Sequence, residues 1–485
     1  MPRGQHQTER EHGRRPRSAA PSLLAGVAGA IVAVGAAASC IDDQPLGGSG
    51  EARVIVADVP PIILHEVDLL FVVDNTDTMA AKQADLIASF ARLRRYLEYA
   101  DGGLPDLHVG ILSTDMGVGG EFAVGGCSTE GDAATLQATP RLADCVGPTD
   151  APFLRYAWDP DGSEAKNFEG TLEEAFACIA ALGTGGCRFE QPLAALGRLL
   201  EAERTTADGF LRDDAVLGLV FLSDEDDCSV KEGSFFDPAL YGFDDGVSKY
   251  RCFREGVQCR GDDAFIGQRE ECEPEAGSVY LDDVYARAEE LHQAKTEDRQ
   301  IVVSAITGSS EHIEVEGYTL PQGDDELLSL APSCEGPAGA AFPAVRLKAF
   351  ADDFTHSGGA GALCPEDGAD DSDGLDILTS TGKELRDALG HPCLAGRVRD
   401  VDPITAGRQV DCEVWAELPD GTRVDVPACE HPYAVETSTA PCYAIKAGPA
   451  ACIDFPTQLA LQTNWGAAGL PTGAQTKVAC LVDPA

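Results

Sequence analysis

The run from Val67 to Met79, VDLLFVVDNTDTM, does most to restrict what this chain can become. Val67, Leu69, Leu70, Phe71, Val72 and Val73 are interrupted only by Asp68, the pattern of a parallel strand covered on both faces rather than of a strand with one wet face. Such a strand ends at the carboxyl edge of its sheet, and ligands of open α/β sheets bind just beyond that edge. The edge here delivers Asp74, Thr76 and Thr78, three oxygen-bearing side chains at alternate positions and candidate ligands for one metal ion. Beyond Met79, the residues Leu86, Ile87, Phe90, Leu93 and Leu97 recur at spacings of three and four, which predicts an amphipathic helix.

The same unit recurs along the chain. Asp106 to Thr114, Ala215 to Ser223 and Ile301 to Ile306 read as further strands. Thr171 to Leu182, Phe189 to Glu203, Val279 to Ala294, Pro343 to Phe354 and Gly374 to Leu389 read as helices. The alternation predicts an α/β fold built on a doubly wound, mostly parallel sheet. Two stretches depart from it: 115–170, rich in Asp, Gly and Pro, and the segment carrying Cys228, Cys252, Cys259 and Cys272. Both are expected to be disulfide-stapled insertions at the ligand-binding edge. From 394 to 485 the texture changes. Val410 to Leu418 alternates, Pro419-Asp420-Gly421 signals a hairpin turn, and Arg423 to Val426 is the return strand. Cys393, Cys412, Cys429, Cys442, Cys452 and Cys480 form an even set able to close on itself, so 394–485 is expected to be a small disulfide-rich β module.

A chain of 485 residues exceeds one ordinary domain, and 44% apolar residues provide for a sizeable core. A formal charge of −45 excludes nucleic acid and anionic lipid as direct partners, because phosphates would be repelled. Residues 1–39 run from an arginine-bearing start through the apolar stretch Leu23 to Ala38, the order of a secretory signal peptide and too short for a convincing membrane span. Ala37-Ala38-Ser39-Cys40 resembles a bacterial lipoprotein cleavage box, which implies lipidation of Cys40. Ile41 rather than Asp follows the cysteine, so the resemblance implies an outer-membrane lipoprotein attached to the membrane by its lipid alone. A secreted product of an ordinary signal peptide and an uncleaved anchor are the alternatives. The small, polar residues of 40–64 read as a flexible tether, and residues 65–393 as the main domain. Of 17 cysteines, sixteen remain once Cys40 is set aside, compatible with eight disulfides in an oxidising compartment. Near neighbours such as Cys127 with Cys145 and Cys178 with Cys187 are plausible pairs, with connectivity left open.

The order strand, DNTDT, helix, then a glycine-flanked Thr184, then a strand ending at Asp224, resembles a von Willebrand factor type A domain over roughly residues 65–390. The resemblance implies a metal-ion-dependent adhesion site. Asp74, Thr76 and Thr78 match its first loop, Thr184 its second and Asp224 its third. Both serines of the usual first loop are threonines here, and Asp77 stands between them. Hard oxygen ligands imply Mg²⁺ first, with Ca²⁺ or Mn²⁺ as alternatives. The family's mode of action implies a protein partner whose carboxylate completes the ion's coordination, hence an adhesion module rather than an enzyme. An exported metal-dependent hydrolase and a structural domain with an empty site are the competing readings. Asp74 and Thr76 could also serve as plain helix N-caps. The run Asp224 to Asp227 is expected to be a solvated acidic turn, Asp367 to Asp376 an exposed acidic loop, and His108 a structural histidine.

Overall fold

The computed structural model describes residues 53–59 and 64–482 apart from 101–102, 159–162, 204–208, 238–244, 261–265, 320–325, 365–372, 395, 406–408, 419, 432–434, 436–437, 449–451, 453–454, 457 and 467–473. The chain divides into units Met1–Ile41 and Asp42–Ala485. The first unit, and with it the signal peptide and Cys40, lies outside the described residues, as does most of the acidic loop 367–376.

Strands β1 (Arg53–Val59), β2 (Glu66–Val73), β3 (Asp106–Ser113), β4 (Leu154–Trp158), β5 (Glu164–Lys166) and β6 (Val216–Leu222) are followed by β7 (Val257–Arg260), β8 (Gly267–Pro274), β9 (Ile301–Thr307), β10 (Ile313–Thr319) and β11 (Glu326–Leu330). Then come β12 (Cys334–Gly336), β13 (Gly339–Ala341), β14 (His356–Ala362), β15 (Cys412–Glu417), β16 (Arg423–Val426), β17 (Cys442–Ala447), β18 (Leu459–Asn464) and β19 (Gln475–Val482). Among the described residues the largest sheet has seven strands in the order β14-β9-β6-β2-β3-β4-β5. The run from β14 to β3 is parallel, and the β4–β5 hairpin adds to its edge antiparallel. The molecule is thus mixed α/β around a mostly parallel sheet. The 115–170 insertion, expected to be loop, supplies that hairpin.

The alternation of β2 explains its apolar run. Val67, Leu69, Phe71 and Val73 enter one core with α1 (Ala80–Leu97), α2 (Leu172–Ala180) and the helix Asp373–Leu389. Leu70 and Val72 enter a second core with α3 (Pro192–Glu203) and the helices Val284–His292 and Val345–Asp352. Helices therefore cover both faces of β2. Phe90 of α1 stacks on Phe176 of α2 at 4.0 Å, and both meet Phe71 edge-on. Asp68, the polar break, is fully buried and held by Arg212 at 2.8 Å and Lys295 at 3.4 Å, a paired charge with a structural role. His108 on β3 meets the Phe210 carbonyl at 2.8 Å, and burial lowers its pKa.

The chain runs from β2 to β3 on one side and later returns to place β6 on the other side of β2. The cleft between the carboxyl ends of β2 and β6 is therefore the point where strand order reverses.

Two sequence-based expectations change. The first four cysteines after Cys40 close across loops rather than to near neighbours: Cys127–Cys187 and Cys145–Cys178 are bonded, with Cα separations of 4.3 and 5.5 Å. The reason is that the 115–170 insertion folds back onto the segment before α3, so spatial neighbours are distant in sequence. Among the described residues all sixteen cysteines pair, including Cys228–Cys252, Cys259–Cys272 and Cys334–Cys364. The six carboxyl-terminal cysteines close among themselves as Cys393–Cys452, Cys412–Cys480 and Cys429–Cys442. Second, residues 53–59 of the expected tether are a strand: β1 pairs antiparallel with β19 in the sheet β1-β19-β15-β16. The sequence RVIVADV is rich in β-branched residues, which suit a strand better than a tether.

Candidate functional site

The Asp74 amide donates to the Leu222 carbonyl at 2.9 Å, so the ladder between β2 and β6 continues one residue past the apolar run. The Asp74 carboxylate then organises its own loop. Its Oδ1 accepts the Thr76 amide at 2.8 Å and the Thr76 hydroxyl at 2.7 Å, the local turn that aspartate favours. Its Oδ2 accepts the Ser223 hydroxyl at 3.0 Å, from the end of β6. Burial, followed by the neighbouring Asp224 charge, pushes the Asp74 carboxyl up to about 6.

Asp224 stands directly opposite. Its Oδ2 accepts the Thr78 hydroxyl at 2.6 Å and the Lys82 ammonium at 2.8 Å. Its Oδ1 is buried and has no hydrogen-bond partner among the described residues. The second loop is held against the first by backbone and by a glutamine. The Gly186 amide donates to the Asn75 carbonyl at 2.8 Å, while Gln83 Nε2 donates to the carbonyls of both Asp74 and Gly183 at 2.8 and 3.0 Å. A Cβ on Gly186 would lie 2.1 Å from Asn75 Oδ1, so the two loops touch because this residue is glycine. Thr76, Asp77, Thr78, Thr184, Arg188 and Lys249 are among the residues lining one open cavity of about 440 Å³. The structure thus holds two hydrogen-bonded pairs, Asp74 with Thr76 and Asp224 with Thr78, with Ser223, next to Asp224 in sequence, bonded to Asp74, while Thr184 shares the cavity wall with Thr76 and Thr78.

Sequence reasoning missed four residues of this site: Lys82, Gln83, Ser223 and Glu190. Lys82 carried a usable signal, since it lies four residues before Leu86 on the buried stripe of α1. Glu190 is buried with Oε1 unpartnered among the described residues, and burial, then the Asp74 charge, raises its pKa well above the ordinary value.

The acidic run beyond Asp224 is no solvated turn. Asp226 accepts the backbone amides of Val345, Arg346 and Leu347 at 2.9 to 3.1 Å, capping the helix Val345–Asp352 from outside it. Asp227 accepts the Leu193 amide of α3 at 3.1 Å and the Arg346 guanidinium at 2.8 Å. These charges are used because two helices begin beside the β6 tip and their free amides need acceptors. Glu225 pairs with Lys249 at the cavity rim.

Among the described residues no group of three or more His, Cys, Asp or Glu is arranged to hold a metal. The candidate set is of another kind, two carboxylates with threonine hydroxyls. It fits a hard divalent cation in one respect that the structure shows: a buried carboxylate oxygen, Asp224 Oδ1, lacks a partner, and an oxygen of this kind costs free energy unless something supplies positive charge to it.

No family model matches the chain, and no curated protein matches it. Among solved structures it is similar to the pilus adhesin SpaC from Lactobacillus rhamnosus GG in its open conformation, with 11% identity, 89% of this chain and 41% of that chain covered, and a TM-score of 0.29. It is also similar to the pilus adhesin RrgA from Streptococcus pneumoniae, with 10% identity, 89% and 59% coverage and a TM-score of 0.21. For the three N-terminal domains of the type V pili tip protein Mfa5 from Porphyromonas gingivalis the values are 11% identity, 89% and 64% coverage and a TM-score of 0.21. The chain spans 41% to 64% of the length of these proteins.

Proposed function

We infer that this chain is a cell-envelope adhesion module of the von Willebrand factor A type, which grips an acidic group on a protein partner through a divalent cation, Mg²⁺ first among the candidates. Asp74, Thr76, Thr78, Thr184 and Asp224 would hold the ion, and it would supply a positive centre for the partner's carboxylate. The observation that carries this reading is the convergence of Asp74 and Asp224 at the strand-order reversal, with Thr78 already bonded to Asp224 and Asp224 Oδ1 left without a partner. The cavity wall carries Arg188 and Lys249 beside Asp77 and Glu225, with Lys249 paired to Glu225, so the ion itself would supply the positive centre for an incoming acidic group. The eight disulfides support an oxidising, extracytoplasmic setting. Attachment through a lipid on Cys40 completes the proposal. The site is read as a binding surface rather than a catalytic one, because both oxygens of Asp74 are held as acceptors by Thr76 and Ser223 and Asp224 Oδ2 by Thr78 and Lys82.

One observation favours a second reading. The Lys82 ammonium already neutralises Asp224, so the domain could be structural with no ion at all. Thermal melting in EDTA and in excess Mg²⁺ separates the two. The adhesion reading expects Mg²⁺ at about 100 times its Kd to stabilise the protein by about 2.7 kcal/mol, and Asp74→Ala to abolish the response. A wild-type protein indifferent to chelator and ion contradicts it.

A further inference from the structure

Lys82 is set against its surroundings in two ways. It is the third residue of α1, where the helix dipole disfavours a cation. It is also 2% exposed, and a buried ammonium is costly without a partner. Its position is nevertheless built. Nζ lies 2.8 Å from Asp224 Oδ2 and 3.1 Å from the Thr78 carbonyl, two residues of the candidate ion site. The β12–β13 hairpin closes over it: a Cβ at Gly339, where φ is +108°, would come within 3.3 Å of Nζ. The same hairpin leads into Phe342, whose amide donates to the Asp224 carbonyl at 2.8 Å. The ammonium therefore sits on the carboxylate that a divalent ion would need.

We propose that Lys82 is an internal competitor for the divalent cation, holding Asp224 when no ion is bound and giving up Oδ2 when one arrives. This rests on the reading of the site given above. Two like charges on one buried carboxylate repel, so an ion at Oδ1 weakens the ammonium's hold on Oδ2 and the ammonium weakens the ion's hold on Oδ1. Ion affinity is then lowered by whatever free energy binds the lysine. The ion concentration at which the binding face becomes competent is set by a side chain of the domain itself.

The test is Mg²⁺ and Mn²⁺ titration of the full mature chain, followed by calorimetry and by melting temperature, for wild type, Lys82→Met, Lys82→Gln and Asp74→Ala. The expected result is ion binding by Lys82→Met tighter than wild type on the order of tenfold or more, with a lower melting temperature in EDTA and a larger ion-induced rise. A Lys82→Met protein that folds only with ion present supports the proposal equally. If it fails to fold under both conditions, Lys82→Gln carries the same comparison. Equal or weaker ion binding by the lysine variant, beside a wild type that binds and an Asp74→Ala that does not, overturns the lysine's role alone. Absence of binding by wild type and lysine variants alike overturns the ion site and this proposal together.

Discussion

Asp224, Asp226 and Asp227 are chemically alike in sequence and act differently in the fold. Asp224 holds Thr78 and Lys82, Asp226 caps the helix Val345–Asp352, and Asp227 joins the start of α3 to Arg346. An acidic tetrapeptide shows none of this, because the amides that claim it come from segments over 30 and over 110 residues away. That Asp74, Thr76 and Thr78 sit together just past a strand was legible, because the apolar run of β2 ends directly before them at Val73. The buried acids have a measurable consequence. Burial pushes the Asp226 carboxyl from 3.8 up to about 6, and burial followed by the Asp224 charge does the same for Asp74. Between about pH 4 and 6 the folded protein thus binds more protons than the unfolded chain at these groups, so their contribution to stability is full below that window and is lost as pH rises through it. Urea or thermal unfolding in EDTA should therefore show a stability decline across this range that is shallower in Asp226→Asn than in wild type. An unchanged slope would count against the assignment for Asp226.

At the scale of elements, β2, β3, β6 and β9 were readable because each is a nearly unbroken apolar run between polar ends. The helix expected from Thr171 is α2, and the structure adds that Thr171 and Glu174 close its start with a reciprocal cap. Strand β14, HSGGAGA, was not readable. Its glycines carry no apolar pattern, and Gly358 is required for close packing, since a Cβ there would lie 2.4 Å from Ser304 Oγ and 2.9 Å from the Thr381 amide. The four-stranded sheet β11-β10-β8-β7 was also missed, since β8, GQREECEP, has the polarity of a loop. Loop against loop is where the site is most sensitive. Gly186→Ala would drive a methyl into Asn75 Oδ1 and to 2.9 Å of the Asn75 carbonyl, so it should cost about 1–3 kcal/mol and weaken Mg²⁺ binding by separating Thr184 from the first loop. Gly185→Ala meets nothing within 4 Å and is the matched control. Equal ion affinity in the two variants would show that the second loop does not contribute to the site.

For the whole molecule, residues 42–485 form one unit in which β1 closes a sheet with β19, so the strand preceding the main domain is bound to the last strand of the chain. That pairing was hidden from the sequence, because seven apolar-leaning residues after a polar segment do not show which strand they will meet. In the seven-stranded sheet the parallel pairing of β2 with β6 places their tips side by side, and the Gly186–Asn75 bond sets the second loop against the first, which makes a site of residues that are 146 positions apart at Thr78 and Asp224. Whether this junction holds a divalent cation is decided by crystals of residues 42–485 grown with Mn²⁺ and measured for anomalous scattering. The expected result is a peak at coordinating distance from Asp74, Thr78 and Asp224, with the Lys82 ammonium withdrawn from Asp224. A structure at saturating Mn²⁺ with no peak there, and Lys82 still bonded to Asp224, would contradict ion binding at this junction.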